Sequence, residues 1–343
     1  MKKYLLSIAA LLLGLLAHSQ EADELGNYAE FSIIPRLDLN PGWYSSPKEF
    51  GFDFGNSSLY TLFEGRASEH FSWTVANHWI AFSTIDWFKE ETGALYGGLG
   101  FSDTNNLFDF AKVDLTFGSW TFTLGKDCMT IGGHEYDDWD WEVHPVLATP
   151  MWNNLPCYQW GGKVAWTTPS ELSTFSLQMT TSPFGERPFG SGLWTYSAQW
   201  SGDYDWYSPL WSVSAIGFDK GRYNWLVSLG NQFFVGDWTL TLDWTNSCGP
   251  DWDWATLLGG HTFHGRVDYS TSDRWELSLR GNYVVTDKSE WLANWWNLGT
   301  VFQFYPLRDS QDLRLHAVAE YDSLLDGLEF SVGILYNLRL KLW

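Results

Sequence analysis

Apolar and polar residues alternate with a period of two along much of this chain. In Trp238–Thr245, Trp238, Leu240, Leu242 and Trp244 share one phase, and Thr239, Thr241, Asp243 and Thr245 the other. In Trp275–Tyr283, Trp275, Leu277, Leu279 and Tyr283 oppose Glu276, Ser278, Arg280 and Asn282. Leu313–Tyr321 sets Leu313, Leu315, Ala317 and Ala319 against Arg314, His316, Val318 and Glu320. Successive side chains of a strand point to opposite faces, so each run is a strand with one apolar and one charged face. Sixteen runs of this kind, bounded by turn residues, are predicted. They lie near 29–38, 58–67, 71–81, 107–117, 120–126, 158–167, 172–180, 193–201, 206–218, 223–235, 238–246, 258–269, 275–285, 295–305, 313–321 and 328–342.

The connections alternate in length. After even strands come mostly tight turns such as Gly118-Ser119 and Gly236-Asp237, whereas longer stretches (39–57, 82–106, 127–157, 181–192, 247–257, 286–294) follow most odd ones. Short turns at one end and long loops at the other are the pattern of bacterial outer-membrane barrels, and a β-sandwich shows none of it. The expected fold is therefore all-β: a transmembrane antiparallel barrel of about 16 strands. The third long connection, Asp127–Cys157, has room to fold into a water-filled lumen and narrow it. Insertions of that length without predicted regular structure are usually functional.

Alternation alone cannot say which face is inside, and other features make that choice. The chain opens MKKYLLSIAALLLGLLAHSQ, with a basic start, an apolar core too short for a bilayer and a small-residue cleavage site. Residues 1–19 are read as a signal peptide and 20–343 as an outer-membrane β-barrel. No later stretch is long and apolar enough for a helical span. The 24 Trp, 16 Tyr and 23 Phe exceed what a soluble core of this size needs, and suit aromatic girdles at two membrane interfaces. A formal charge of −21 argues against nucleic acid as a partner, and the aromatic content against disorder.

Charged positions suggest where a solute would be sorted. The third loop carries Glu135, Asp137, Asp138, Asp140 and Glu142 as a candidate pore constriction. Lys112, Lys126, Lys163, Arg266, Arg280, Arg314 and His316 are assigned to the pore wall by phase. Acids facing bases across a narrow aqueous space set up a transverse field that low-dielectric walls focus. The competing reading has the acids on a solvated outer face and the cations paired with Asp114, Asp268 and Glu320. Cys128 and Cys157 stand at the two ends of the loop, where a disulfide would pin its base; free thiols are the alternative. Asp-Trp-Asp-Trp occurs at 138–141 and again at 251–254, as an aromatic girdle meeting acidic loops rather than a calcium site, which needs six or more oxygens.

No G-x-S-x-G, H-E-x-x-H or Gly-rich phosphate loop is present, so neither enzyme activity nor a cofactor nor a metal is expected. The strand ending Leu124-Gly125-Lys126, followed by Gly132-Gly133-His134-Glu135, together with the terminal NLRLKLW, resembles the phosphate-selective porin O and P family. That resemblance implies a sixteen-stranded barrel, often trimeric, with an inward-folded third loop. It implies passive diffusion of small hydrophilic solutes or ions, with the outer-membrane bilayer and those solutes as partners. Phosphate selectivity does not carry over, because 20 Lys and Arg stand against 41 Asp and Glu. An outer-membrane hydrolase and a structural or adhesive barrel are the alternatives. Trp343 falls one residue out of phase with the leucines of the last strand unless a bulge restores register.

Overall fold

The first strand, β1 (Tyr28–Ser45), is hydrogen-bonded to the second strand on one side and to the last on the other, and this closes a barrel. A computed structural model describes residues 27–45, 48–54, 57–81, 108–137, 149–185, 187–248, 260–285, 295–324 and 326–342. Its 18 strand segments make 16 barrel strands, since the second and the last are each interrupted once (18 − 2 = 16). Strand β2 comprises Lys48–Asp53 and Ser58–Ser68, both paired to β1. Then follow β3 (Phe71–Ala81), β4 (Phe110–Phe117), β5 (Trp120–Cys128), β6 (Tyr158–Thr167), β7 (Ser173–Thr181) and β8 (Trp194–Gly202). The second half holds β9 (Tyr207–Asp219), β10 (Arg222–Val235), β11 (Trp238–Cys248), β12 (His261–Ser272), β13 (Trp275–Val285), β14 (Trp295–Phe304) and β15 (Leu313–Asp322). Strand β16 is Gly327–Tyr336 continued by Leu338–Lys341. All pairings are antiparallel between sequence neighbours apart from the closing one. Among the described residues no helix is long and apolar enough to cross a membrane.

The faces are inverted relative to a soluble protein. Leu37, Leu124, Leu177, Leu242, Leu279, Leu298 and Val332 are exposed, while Thr241, Ser228, Ser278, Asn297 and Glu320, which point inward, are buried. A soluble protein seldom leaves so continuous an apolar surface in water; against lipid it is the required one. Aromatic side chains collect at both rims. Trp238–Tyr269 (4.3 Å between ring centres), Tyr207–Phe233 and Tyr269–Trp275 lie beside the short turns, with Tyr196–Tyr223, Phe263–Tyr283 and Trp296–Tyr321 toward the opposite end.

Two sequence expectations change. The stretch 39–57 is no long loop: β1 runs on to Ser45, and β2 resumes at Lys48 after a two-residue connection. Pro35, Pro41 and Gly42 hid this extension, since proline and glycine read as strand breakers. A one-residue register shift separates the two parts of β2, from Asn40↔Asp53 to Arg36↔Ser58, and Ser57 bridges it by hydrogen bonds with the Asp38 backbone. No bulge is found where the last strand invited one: Leu335↔Arg36 and Leu338↔Ile33 keep one register, and Leu338, Leu340 and Leu342 stay exposed in phase. Trp343 lies outside the described residues.

Candidate functional site: the inward third loop

The connection between β5 and β6 is held against the inner wall from its base to Glu135. At the base, Met129 N–H donates to the Cys157 carbonyl (2.8 Å). The Gln178 side chain on β7 clamps the next residues, accepting from Thr130 N–H (2.6 Å) and donating to the Cys128 carbonyl (2.9 Å). Ser212 on β9 then donates to the Gly132 carbonyl (2.8 Å), and His134 Nε2 donates to the Ser208 carbonyl (3.0 Å), which fixes that ring's tautomer. The far anchor is Asp243 on β11, whose Oδ2 accepts the Glu135 N–H at 2.9 Å.

Gly132-Gly133 makes that approach feasible. Gly132 has φ +75°, a conformation that suits glycine. A Cβ on Gly133 would lie 2.6 Å from the Asp243 carboxyl carbon, and the Gly133 Cα already packs on Gly230 of β10. The loop also carries an apolar core of its own. Met129, Ile131, Tyr136, Met151 and Leu155 bury themselves against Ile216 of β9 and Leu226 of β10, two apolar residues in the lumen-facing phase. Two short helices frame it, α1 (His134–Asp137) and α2 (Pro150–Asn154). Tyr136 donates its hydroxyl to the Leu155 carbonyl (2.9 Å) and meets Trp152 edge-on at 5.7 Å.

Of the constriction acids, Glu135 does something other than face the pore. Its two carboxylate oxygens accept from Thr149 N–H and Thr149 Oγ1, both at 2.7 Å, and it is buried. Thr149 caps α2 in turn, so Glu135 ties the two sides of the loop together. Asp137 is exposed at the end of α1. Asp138, Asp140 and Glu142, like both Asp-Trp-Asp-Trp segments, lie outside the described residues.

Among the wall residues, Lys112, Lys163, Arg266, Arg280, Arg314 and His316 all fall on the inward phase. They form two groups. Lys112 and Lys163 both pair with Asp127, each at 3.0 Å. Around the other side, Arg266 pairs with Asp268 (2.9 Å) and stands across the ladder from Arg280, which donates to Ser278 (3.1 Å). Arg314 donates to Gln303 (3.3 Å), and His316 meets Asp38 at 3.0 Å, with Arg36 on the other carboxylate oxygen. Lys126 is the exception and a correction. It shares the outward phase of Phe122 and Leu124, pairs across from Trp160, and is buried at a small cavity that it lines with Thr181 at the end of β7 and with Pro183 and Pro188 of the next outer connection. Cys128 and Cys157 are not bridged, so of the two readings the one without a disulfide holds, and the loop base is pinned by backbone and Gln178.

Sequence reasoning missed Asp243, Gln178 and Ser212 as anchors. The signal was available in part: Ile216 and Leu226 break the polar phase of their strands, which marks something apolar inside the barrel.

This architecture is the porin fold, a sixteen-stranded barrel with its third loop turned inward. The chain is similar to solved porin structures at low sequence identity. A mutant Rh. blastica porin matches with a TM-score of 0.58 and 11% identity, over 90% of this chain and 100% of that one. The outer-membrane channel DcaP of Acinetobacter baumannii matches with a TM-score of 0.59 and 11% identity, over 93% and 99%. A loop-deletion mutant of OmpT, an outer-membrane protein of Vibrio cholerae, matches with a TM-score of 0.51 and 9% identity, over 91% and 100%. No family model and no curated protein matches the sequence, so the phosphate-selective porin O and P family gains no support beyond the shared fold.

Proposed function

We propose that the chain is an outer-membrane porin through which small hydrophilic solutes or ions diffuse passively. The observation that carries this reading is the third loop, anchored by Asp243 across the inside of a closed barrel whose outer face is apolar. A loop held in that way narrows a lumen without a moving part, and selection then follows from size and lining charge. The exterior leucines and the two aromatic rims support residence in the outer-membrane bilayer, and the signal-peptide pattern of residues 1–19 agrees with export. A homotrimer accompanies the porin reading, and chemical cross-linking in detergent checks it. Selectivity is proposed as modestly cation-preferring, since acids outnumber bases along the chain and Arg266 and Arg36 each lean on a neighbouring carboxylate. Purified protein in a planar bilayer should give stepwise, ohmic conductance. A folded barrel that never conducts would overturn the channel and favour a structural or enzymatic barrel.

A further inference from the structure

At the base of the third loop, inward-facing residues line a cavity of about 180 Å³ with two unlike walls. One wall is aromatic: Phe110 and Tyr158 meet edge-to-face at 4.9 Å, and Trp152 of α2 adds its ring. The other is the Lys112–Asp127–Lys163 cluster, in which each ammonium lies 3.0 Å from a different oxygen of the same carboxylate. An ammonium has three N–H donors. Two lysines sharing one carboxylate therefore hold an excess of positive charge and of donors. Their side chains keep 19% and 25% exposure while Asp127 keeps 7%, so on this wall the cavity meets ammonium more than carboxylate. Asp114 receives the Thr123 hydroxyl, and Asp137, exposed on the loop side, adds a second carboxylate to the lining.

We propose that this cavity is a binding site for a small organic monocarboxylate with a planar apolar body, of the size of benzoate. The carboxylate sits between the Lys112 and Lys163 ammoniums, with charge-assisted hydrogen bonds from both. The ring lies against Phe110, Tyr158 and Trp152, where aromatic faces and edges offer stacking geometries. Drug-sized ligands fill about 300 Å³ or more, so the volume limits the occupant to a single ring. This rests on the channel reading, because the cavity lies at the base of the inward loop, and it makes the site a selective station within a general pore.

The test is calorimetric titration of the full barrel in detergent with sodium benzoate, sodium acetate and benzylammonium chloride, beside bilayer conductance of the same preparation. Benzoate should bind saturably, acetate at least tenfold more weakly and benzylammonium not measurably. Lys163→Met and Phe110→Ala should each weaken benzoate at least tenfold in protein that still shows the heat-modifiable mobility of a folded barrel. An open pore without benzoate binding, equal binding of acetate, or no loss in Lys163→Met overturns this inference alone. Benzoate binding to a barrel that never conducts overturns the channel reading and keeps the site.

Discussion

The carboxylate of Asp243 and the backbone N–H of Glu135, 108 residues apart in sequence, meet at 2.9 Å inside the barrel. Strand β11 thereby holds α1 of a loop that leaves the wall at β5. The contact is buried, so its loss leaves an amide hydrogen without a partner, a cost of about 1–3 kcal/mol. Asp243→Ala should free α1 from the wall without opening the barrel. Single-channel recordings should show a larger and noisier conductance than native, while heat-modifiability stays unchanged. Gly133→Ala should act in the same direction, because its methyl group would collide with that carboxylate. Native conductance in both variants would remove Asp243 from its anchoring role.

Charge at the constriction gives a second expectation. Changing Asp137, Asp138 and Asp140 together to Asn should move the reversal potential across a salt gradient toward anions. Fields from exposed charges fade beyond about 8 Å at physiological salt, so the shift should shrink as salt rises. An unchanged reversal potential, or a native channel strongly selective for anions, would contradict the proposed selectivity.

Tyr136 carries a pH dependence. Burial, followed by the charges that Cys157 and Cys128 can carry, holds its phenol pKa well above the ordinary 10. The folded loop thus keeps a proton that the released loop loses. Its contribution to stability is fully present below about pH 10 and falls above it, by about 1.4 kcal/mol per pH unit until the folded pKa is reached. Conductance noise should therefore rise in alkaline buffer, and Tyr136→Phe should flatten that rise. A native channel equally quiet at pH 8 and pH 11 would contradict it.

The cysteines supply a fourth test. With Cys128 and Cys157 unbridged, thermal unfolding in detergent should be the same with and without a reductant. A disulfide closing a loop of about 30 residues would contribute roughly 3–4 kcal/mol, enough to move the melting temperature by several degrees. A reductant-sensitive melt would show that the thiols do join.

Strand existence was legible because period-two alternation survives wherever lipid faces one side and polar atoms the other. Leu242 and Asp243 show it within two residues. Phase was legible too, and at Lys126 it spoke against the pore wall, since that residue alternates in step with Phe122 and Leu124. The roles inside the loop were not legible. Glu135 looks like any acid of its run, and only folding brings Thr149 to both of its oxygens. Asp243 looks like any polar residue of a lumen face, and its partner is a backbone amide, which leaves no trace in the sequence. The extended β1 was hidden by its prolines, which weaken a strand locally but do not end one that stays paired on its other side at both of them.

Those prolines bear on how the barrel comes apart. Along the line where β1 meets β16, ladder pairing lapses beside Pro35 and again beside Pro41, neither of which has an N–H to give. Every other junction joins strands adjacent in the chain, linked by a connection far shorter than the whole. This one joins the two ends of the chain, so it forms against the largest loop-closure entropy, along a ladder that lapses twice. Heat should unzip the wall along this line first, with the amides of β16 exchanging their hydrogens ahead of those in the hairpins.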